Sequence, residues 1–354
     1  YSSAASDVYK RQIKYMVKKH QRVCMPNSLY CFMFYLFLST EEQIKDTVYF
    51  FTKDIPEEIR RHMPHRYFLD LRKLYFRNRF VAALLVPAIR KIKYPELFRS
   101  EIFGLDFNWW LLRGLKMGYV EDCPNVLDIW EKSSLYARYM SFEKAPSFKR
   151  MIARFFFGDY YCHPVGTSRL VTAVYTSSPY DKPYHKGKEK IVMRLEEAWN
   201  SFPESKKELI LRIFNIDEEC MDRFRSCKVI LLTQPYAVDG HMTEEEQMNV
   251  YRKIVSHYGE DNVVIKPHPR DKCDYKSFFP HVEVFDKVVP MQLLVLLGAG
   301  FERVATINSS SALSFGLDTA IDWWAEEMER DLVKDEGFCT LQEARQALQK
   351  HGQK

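Results

Sequence analysis

The octapeptide Val263-Val264-Ile265-Lys266-Pro267-His268-Pro269-Arg270 carries the plainest chemistry in this chain. Three β-branched residues read as a buried strand. The chain then stops between two prolines and presents one imidazole flanked by two cations. Proline fixes φ and cannot continue a central strand, so His268 belongs on a rigid turn at the strand's end. In an open α/β sheet, ligands bind beyond the carboxyl ends of the strands. A histidine there, between Lys266 and Arg270, reads as an anion site: cations for phosphate charge, imidazole for hydrogen bonding or proton transfer. The competing reading is a surface turn that holds a histidine by chance.

Three further stretches could share that work. Glu121-Asp122 follows the strand Met117 to Val120. Like charge on neighbouring carboxylates raises one pKa and can prepare a general base. A solvated acidic turn, or an Asp capping the next helix, fits the same residues. Asn308-Ser309-Ser310-Ser311-Ala312 follows the strand Arg303 to Ile307 and opens a helix. Hydroxyls and free amides at a helix start make a phosphate cradle, although capping alone needs only one serine. Thr233-Gln234, with Asp239 further on, follows the strand Val229 to Thr233.

The elements that position these loops alternate strand with helix. Arg22 to Met25, Thr47 to Phe51, Glu101 to Phe103, Met117 to Val120 and Leu170 to Thr176 read as strands of a first half. Leu29 to Leu38 between them is apolar on all sides, a buried helix with Ser28 or Asn27 as N-cap. In the second half a capping box, Thr243 with Glu246, starts a helix that runs to about Tyr258. Alternation of this kind argues parallel sheets with right-handed crossovers, whose strand-end loops emerge at one edge. Residues 57–98 read as helical with a basic face: Arg60, Arg61, Arg66, Arg72, Lys73, Arg77, Arg79, Arg90, Lys91 and Lys93 alternate with Phe68, Leu71, Leu74, Phe76, Phe80 and Leu84-Leu85. Such a face suits a membrane surface or an acceptor. The commoner alternative is an amphipathic helix whose long cations cover core aromatics.

The bulk numbers narrow the function. A chain of 354 residues, 46% hydrophobic, suffices for two domains of ordinary size. With 52 bases against 47 acids, the net charge of +5 is no nucleic-acid footprint. The eight cysteines include no CxxC pair and no zinc spacing, which suits reduced thiols in a cytoplasmic protein. The longest apolar run, Ser28 to Thr40, is too short for a bilayer span of about 20 residues. No GxxxxGK[ST] and no GxGxxG after a first strand is present, so neither a P-loop NTPase nor a dinucleotide oxidoreductase is indicated. No Asp-x-Asp stands in a strand-end loop, and neither a metal nor a cofactor is expected. The chain's own cations and hydroxyls would stabilise a leaving phosphate.

Taken in order, these motifs resemble the bacterial sialyltransferases of glycosyltransferase family 52, the lipooligosaccharide group. The resemblance runs from about Val23 to Phe315. It rests on Glu121-Asp122-Cys123 where the family has two acids and a glycine, on Leu231-Leu232-Thr233-Gln234-Pro235 ahead of Asp239, on Lys266-Pro267-His268-Pro269-Arg270 as the His-Pro motif, and on Ser309-Ser310-Ser311 as the hydroxyl motif. Cys123 departs from the glycine, losing positive-φ freedom and adding bulk. The resemblance implies an α/β GT-B-like fold, two Rossmann-like domains with parallel sheets facing across a cleft. It implies inverting, metal-independent transfer of sialic acid from CMP-sialic acid to a galactose-terminated, lipid-linked glycan of the cell envelope.

The same resemblance assigns roles. His268 would be general acid on the departing phosphate, and Asp122 or Asp239 the base on the acceptor hydroxyl. Thr233, Gln234, Lys266, Pro269, Arg270, Ser309, Ser310, Ser311 and Glu121 would bind substrate. The expected divisions are a non-native tail at 1–12, an acceptor-side domain at 13–225, a nucleotide-sugar domain at 226–325 and a helical tail at 326–354. The expected setting is cytoplasmic, at the inner face of a bacterial membrane, with peripheral membrane contact and a homodimer left open and no nucleic-acid partner. Two other readings remain: a GT-B-like transferase using another nucleotide-activated sugar or polyol phosphate, and a non-catalytic membrane-associated binding protein.

Overall fold

A computed structural model describes residues 22–69, 79–107, 109–124, 126–217, 219, 221–222, 227–268, 270–285, 288–298, 300–315, 319–327, 340–343 and 345. The expected tail at 1–12 and most of that at 326–354 lie outside the described residues. The chain forms two compact units, 1–195 and 196–354. The division falls before the boundary expected at 225. The helices Leu195–Ser201 and Glu204–Ile213 bury Trp199, Ile210 and Ile213, and nearly all of this pair counts with the second unit.

Among the described residues the first unit holds seven strands: β1 Arg22–Met25, β2 Val48–Phe51, β3 Arg66–Phe68, β4 Glu101–Gly104, β5 Met117–Val120, β6 Val171–Thr176 and β7 Glu189–Val192. All pairings are parallel, in the order β3-β2-β1-β4-β5-β6-β7. A parallel sheet covered on both faces calls for continuous apolar strands rather than alternating ones. Accordingly Val48–Phe51 and Met117–Val120 are buried at every position. The helix Leu29–Leu38 buries nine of its ten residues, and Ser28 caps it by accepting the Cys31 amide at 3.1 Å. At the reversal of strand order, β1 and β4 run so close that a Cβ on Gly104, at φ +131°, would stand 2.4 Å from the Met25 carbonyl oxygen.

Among its described residues the second unit repeats the plan with five parallel strands: β8 Val229–Leu232, β9 Val263–Lys266, β10 Glu283–Val284, β11 Arg303–Thr306 and β12 Ala320–Trp323. Their order is β10-β9-β8-β11-β12. The capping box at Thr243 and Glu246 forms, and its helix runs Glu244–Tyr258. Two parallel α/β sheets therefore stand as expected.

The stretch 57–98 does not follow its expected helical period throughout. It contains the short helix Glu57–Arg60, strand β3 and the helix Arg79–Lys93, while residues 70–78 lie outside the described residues. Arg66 and Phe68 are strand residues because β3 needs only edge pairing with β2. Arg90 is buried and donates to the carbonyls of Leu111 and Arg113, so it is no part of a basic surface.

Candidate functional site

In the second unit, β9, β8 and β11 are neighbours, so their carboxyl-end loops emerge side by side. Side-chain bonds tie the loops together. The His268 amide donates to Thr233 Oγ1 at 2.9 Å, joining the β9 loop to the β8 loop. Tyr236 donates to Asn308 Oδ1 at 2.6 Å, joining the β8 loop to the β11 loop. Buried Gln247, from the capped helix, accepts the Ala237 amide at 2.7 Å and donates to Asp271 at 3.0 Å. Asp271 also receives Tyr275 at 2.7 Å.

His268 is half-buried, and its tautomer is fixed by a neighbour. The Arg270 amide donates to His268 Nδ1 at 3.2 Å, which leaves the ring proton on Nε2. Burial, then the Arg270 charge, pulls the imidazole down from 6.5 to about 4. Adding a proton at Nδ1 would also break the hydrogen bond it accepts from the Arg270 amide. His268 is thus a neutral imidazole that offers Nε2–H.

The other expected residues divide. Arg270 grips Asp239 with both arms of its guanidinium, at 2.7 and 3.0 Å. Asp239 is therefore an engaged carboxylate. Thr233 is buried and spends its hydroxyl on the His268 amide and on Asp271 at 3.4 Å. The amide and carbonyl of Gln234 both meet the Tyr251 hydroxyl, at 2.7 and 3.4 Å. Lys266 is buried with its ammonium 5.1 Å from the centre of the Phe285 ring. Pro269 lies outside the described residues.

The serines open a 3-10 helix, Ser310–Ser314, rather than a long α-helix. Five residues build little macrodipole, so an anion there would rely on side chains and individual amides. Ser309 is buried and its amide donates to Thr306 Oγ1 at 2.9 Å, while Ser311 is half-buried. The Ser310 side chain is outside what is described. Beside them, Asn308 Nδ2 is buried with no hydrogen-bond partner among the described residues. Gln247 and Asp271 escaped the sequence reading, and Asn308 was read there only as part of its loop. A buried amide or acid is visible only once its partners are known, and these come from up to 72 residues away.

In the first unit the loops after β1, β4, β5 and β6 share an edge. Ser28 Oγ donates to the Asp122 carbonyl at 3.0 Å. Glu121 Oε1 accepts Tyr30 and the Ser177 amide, each at 2.7 Å. Glu121 is 2% exposed, so it braces the edge. Its carboxyl is raised from 4.5 to about 7, mainly by burial. Repulsion from Asp122, the cause expected from the sequence, is the smallest contribution. Asp122 is half-buried overall, but its Oδ1 is enclosed without a hydrogen-bond partner among the described residues, and burial raises its pKa too. Cys123, in place of glycine, is not among the residues at positive φ, so the substitution costs no backbone strain there.

A further carboxylate, Asp106, follows β4 and was not anticipated. It accepts the amides of Val165 and Gly166 at 3.0 and 2.8 Å, and burial raises it to about 7.

The family 52 glycosyltransferase model matches residues 139–320. That is just over half of the chain, and it includes every loop of the second-unit cluster. The chain belongs to glycosyltransferase family 52. Glu121 and Asp122 of this family 52 protein lie outside the matched residues, so their roles rest on their own surroundings. An uncharacterised protein of Haemophilus influenzae is 33% identical over 141 residues, 40% of this chain and 46% of that one. The match thus spans about half the length of that curated relative. Among solved structures, the GT-B domain of a Photobacterium damselae sialyltransferase is similar at 13% identity and a TM-score of 0.50, covering 85% of this chain and 89% of that one. A 2,6-sialyltransferase of another Photobacterium, solved with CMP and lactose, is similar at 12% identity and a TM-score of 0.52, covering 85% and 70%. At that distance these likenesses establish the GT-B class of fold.

Among the described residues no group of His, Cys, Asp and Glu could hold a metal ion, and no helix is long and apolar enough to cross a membrane.

The pKa of Glu121 yields a stability prediction with a definite sign. Between about pH 4.5 and 7 the unfolded chain releases this proton before the folded one, so its contribution to stability falls as pH rises. Glu121→Gln keeps an Oε1 that can accept both bonds and has no proton to lose. The variant should match the parent near pH 4.5. Above pH 7 it should be more stable, by at most about 3 kcal/mol. Thermal melts at the two pH values decide it; a variant that melts lower at both would show that the carboxylate's own bonds outweigh its desolvation.

Proposed function

We propose that this family 52 protein transfers sialic acid, with inversion and without metal, from CMP-sialic acid to a galactose-terminated glycan of the lipooligosaccharide type. The observation that carries the reading is the fixed Nε2–H of His268, on a turn bonded to the loops that follow β8 and β11. A neutral donor held at a strand-end edge suits a departing nucleotide phosphate. It offers a hydrogen bond where negative charge develops and needs no proton uptake beforehand. Arg270, already oriented by Asp239, is half-exposed and can share its charge with an anion. Asn308 Nδ2 offers another donor on the neighbouring loop.

CMP is the first donor nucleotide to test, because the solved 2,6-sialyltransferase of similar fold holds CMP and lactose. The acceptor base is assigned to Asp122, whose raised pKa, and an oxygen with no donor among the described residues, suit proton abstraction. The setting follows as a proposal: a bacterial enzyme at the inner membrane face, acting on a cell-envelope glycolipid.

Purified protein with CMP-sialic acid and lactose should release CMP at a rate that depends on lactose. No release across a panel of galactosides would count against the sialyl reading. Thermal shift with CMP, CDP and UDP separates it from a transferase using another activated sugar, since a ligand of the native state raises the melting temperature. CMP should give the largest shift.

A further inference from the structure

Gln247, near the start of the helix Glu244–Tyr258, is 0% exposed. A buried side-chain amide is costly unless its hydrogen bonds are made, and a leucine would fill the same space without that cost. Gln247 makes its bonds to the two loops that carry the site. Its Oε1 accepts the Ala237 amide at 2.7 Å, inside the one-turn helix Tyr236–Asp239 whose last residue grips Arg270. Its Nε2 donates to Asp271 Oδ2 at 3.0 Å and faces the buried Tyr275 hydroxyl at 2.9 Å. Tyr275 donates to the same Oδ2 at 2.7 Å, and Asp271 Oδ1 accepts the Cys273 amide at 3.2 Å. Asp271 in turn closes the His268 turn, its amide donating to the His268 carbonyl at 2.8 Å. The Arg270 amide that selects the ring tautomer lies inside that turn.

We propose that Gln247 is a positioning residue, which holds Ala237 with one end and Asp271 with the other and so fixes both the Nε2–H tautomer of His268 and the aim of Arg270. The inference rests on the reading of His268 as a donor to the departing phosphate. It does not depend on which sugar that phosphate carries. Polar networks with every member satisfied hold one arrangement, because each alternative strands a buried donor or acceptor. Here that arrangement sets the imidazole and the guanidinium together, since Asp239 and Asp271 hang from opposite ends of one side chain.

The test exchanges the two ends of one hydrogen bond. Gln247→Glu keeps an oxygen for Ala237 and sets a carboxylate against that of Asp271. Asp271→Asn keeps an oxygen for Cys273 and sets an amide against that of Gln247. In Q247E/D271N the bond re-forms with its polarity reversed, and Tyr275, within reach of both positions, still finds an acceptor. Nitrogen NMR of the His268 ring in the full chain reports the tautomer with no substrate present. Each single variant should give a mixed tautomer and lower kcat by about 10–100-fold, the scale of a small misplacement. The double variant should recover the parent's tautomer and most of its rate. Single variants that melt lower but keep the parent's tautomer and kcat would make Gln247 a packing residue and overturn the proposal. So would a double variant no better than the worse single one. Should Gln247→Glu not fold, Asp271→Asn, at a half-buried position, and Q247E/D271N carry the same comparison. If instead the parent releases no CMP, the sialyl reading fails, while the ring tautomer still decides the role of Gln247.

Discussion

Replacing His268 by alanine is expected to lower kcat by about 10²–10³-fold, the usual loss when one preorganised donor to a developing anion is removed. The fold should survive, because the His268 bonds to Thr233, Asp271 and Arg270 that hold the turn include main-chain groups that alanine retains. Of these, only the Nδ1 acceptor is lost. The role has two versions. As a general acid, His268 must carry an extra proton, and with its pKa near 4 the active fraction would shrink about tenfold per pH unit above that value. As a neutral donor it is ready throughout, and kcat/KM should show no loss attributable to it between about pH 5 and pH 8. His268→Gln separates the two. Its amide nitrogen can reach the Nε2 position and donate, yet it cannot supply a proton. Activity of the Gln variant well above that of the Ala variant, with the parent's pH profile, supports the donor. Equal loss in both variants, with a parent rate that climbs towards pH 4, supports the acid.

The site and the fold differed in how much the sequence shows of them, and the difference has a physical cause. Central parallel strands are buried on both faces, so Val229–Leu232 and Met117–Val120 must be apolar throughout and stand out. Edge strands carry no such demand. β3, β7 and β12, with Arg-Tyr-Phe, Glu-Lys-Ile-Val and Ala-Ile-Asp-Trp, are largely exposed or half-buried and pass for loop. The capping box was readable because its two members stand three residues apart. Gln247, Asp271 and Asn308 were not, since their meaning lies in partners 10 to 72 residues distant. The His-Pro turn itself was readable from two prolines around a histidine. What the prolines could not convey is that a backbone amide would choose the tautomer, or that burial would hold the ring neutral. Glu121 shows the same limit in reverse. Two acids in a row announce a perturbed carboxyl, but the perturbation comes from burial between Tyr30 and Ser177.

Asp122→Asn is expected to lower kcat by about 10²–10⁴-fold with little effect on the thermal shift produced by CMP. Two carboxylates compete for the acceptor proton, and their surroundings distinguish them. Asp239 has both oxygens on the Arg270 guanidinium, at 2.7 and 3.0 Å. Taking up a proton there would weaken a bidentate ion pair and free a cation. Asp122 has an enclosed oxygen with no donor among the described residues, and burial favours its protonated form. Abstracting a proton therefore relieves an existing electrostatic cost at Asp122 and creates one at Asp239. Asp239→Asn should accordingly act through Arg270. Its fork loses its charged partner and its aim, so the donor KM rises while kcat changes by less than about tenfold. The acid limb of kcat/KM should belong to Asp122 and be absent from the residual activity of Asp122→Asn. If Asp239→Asn is instead the inactive variant, and Asp122→Asn turns over at the parent's rate with its acid limb intact, then the base is Asp239 and the raised pKa at Asp122 is a cost of closing the first unit's edge.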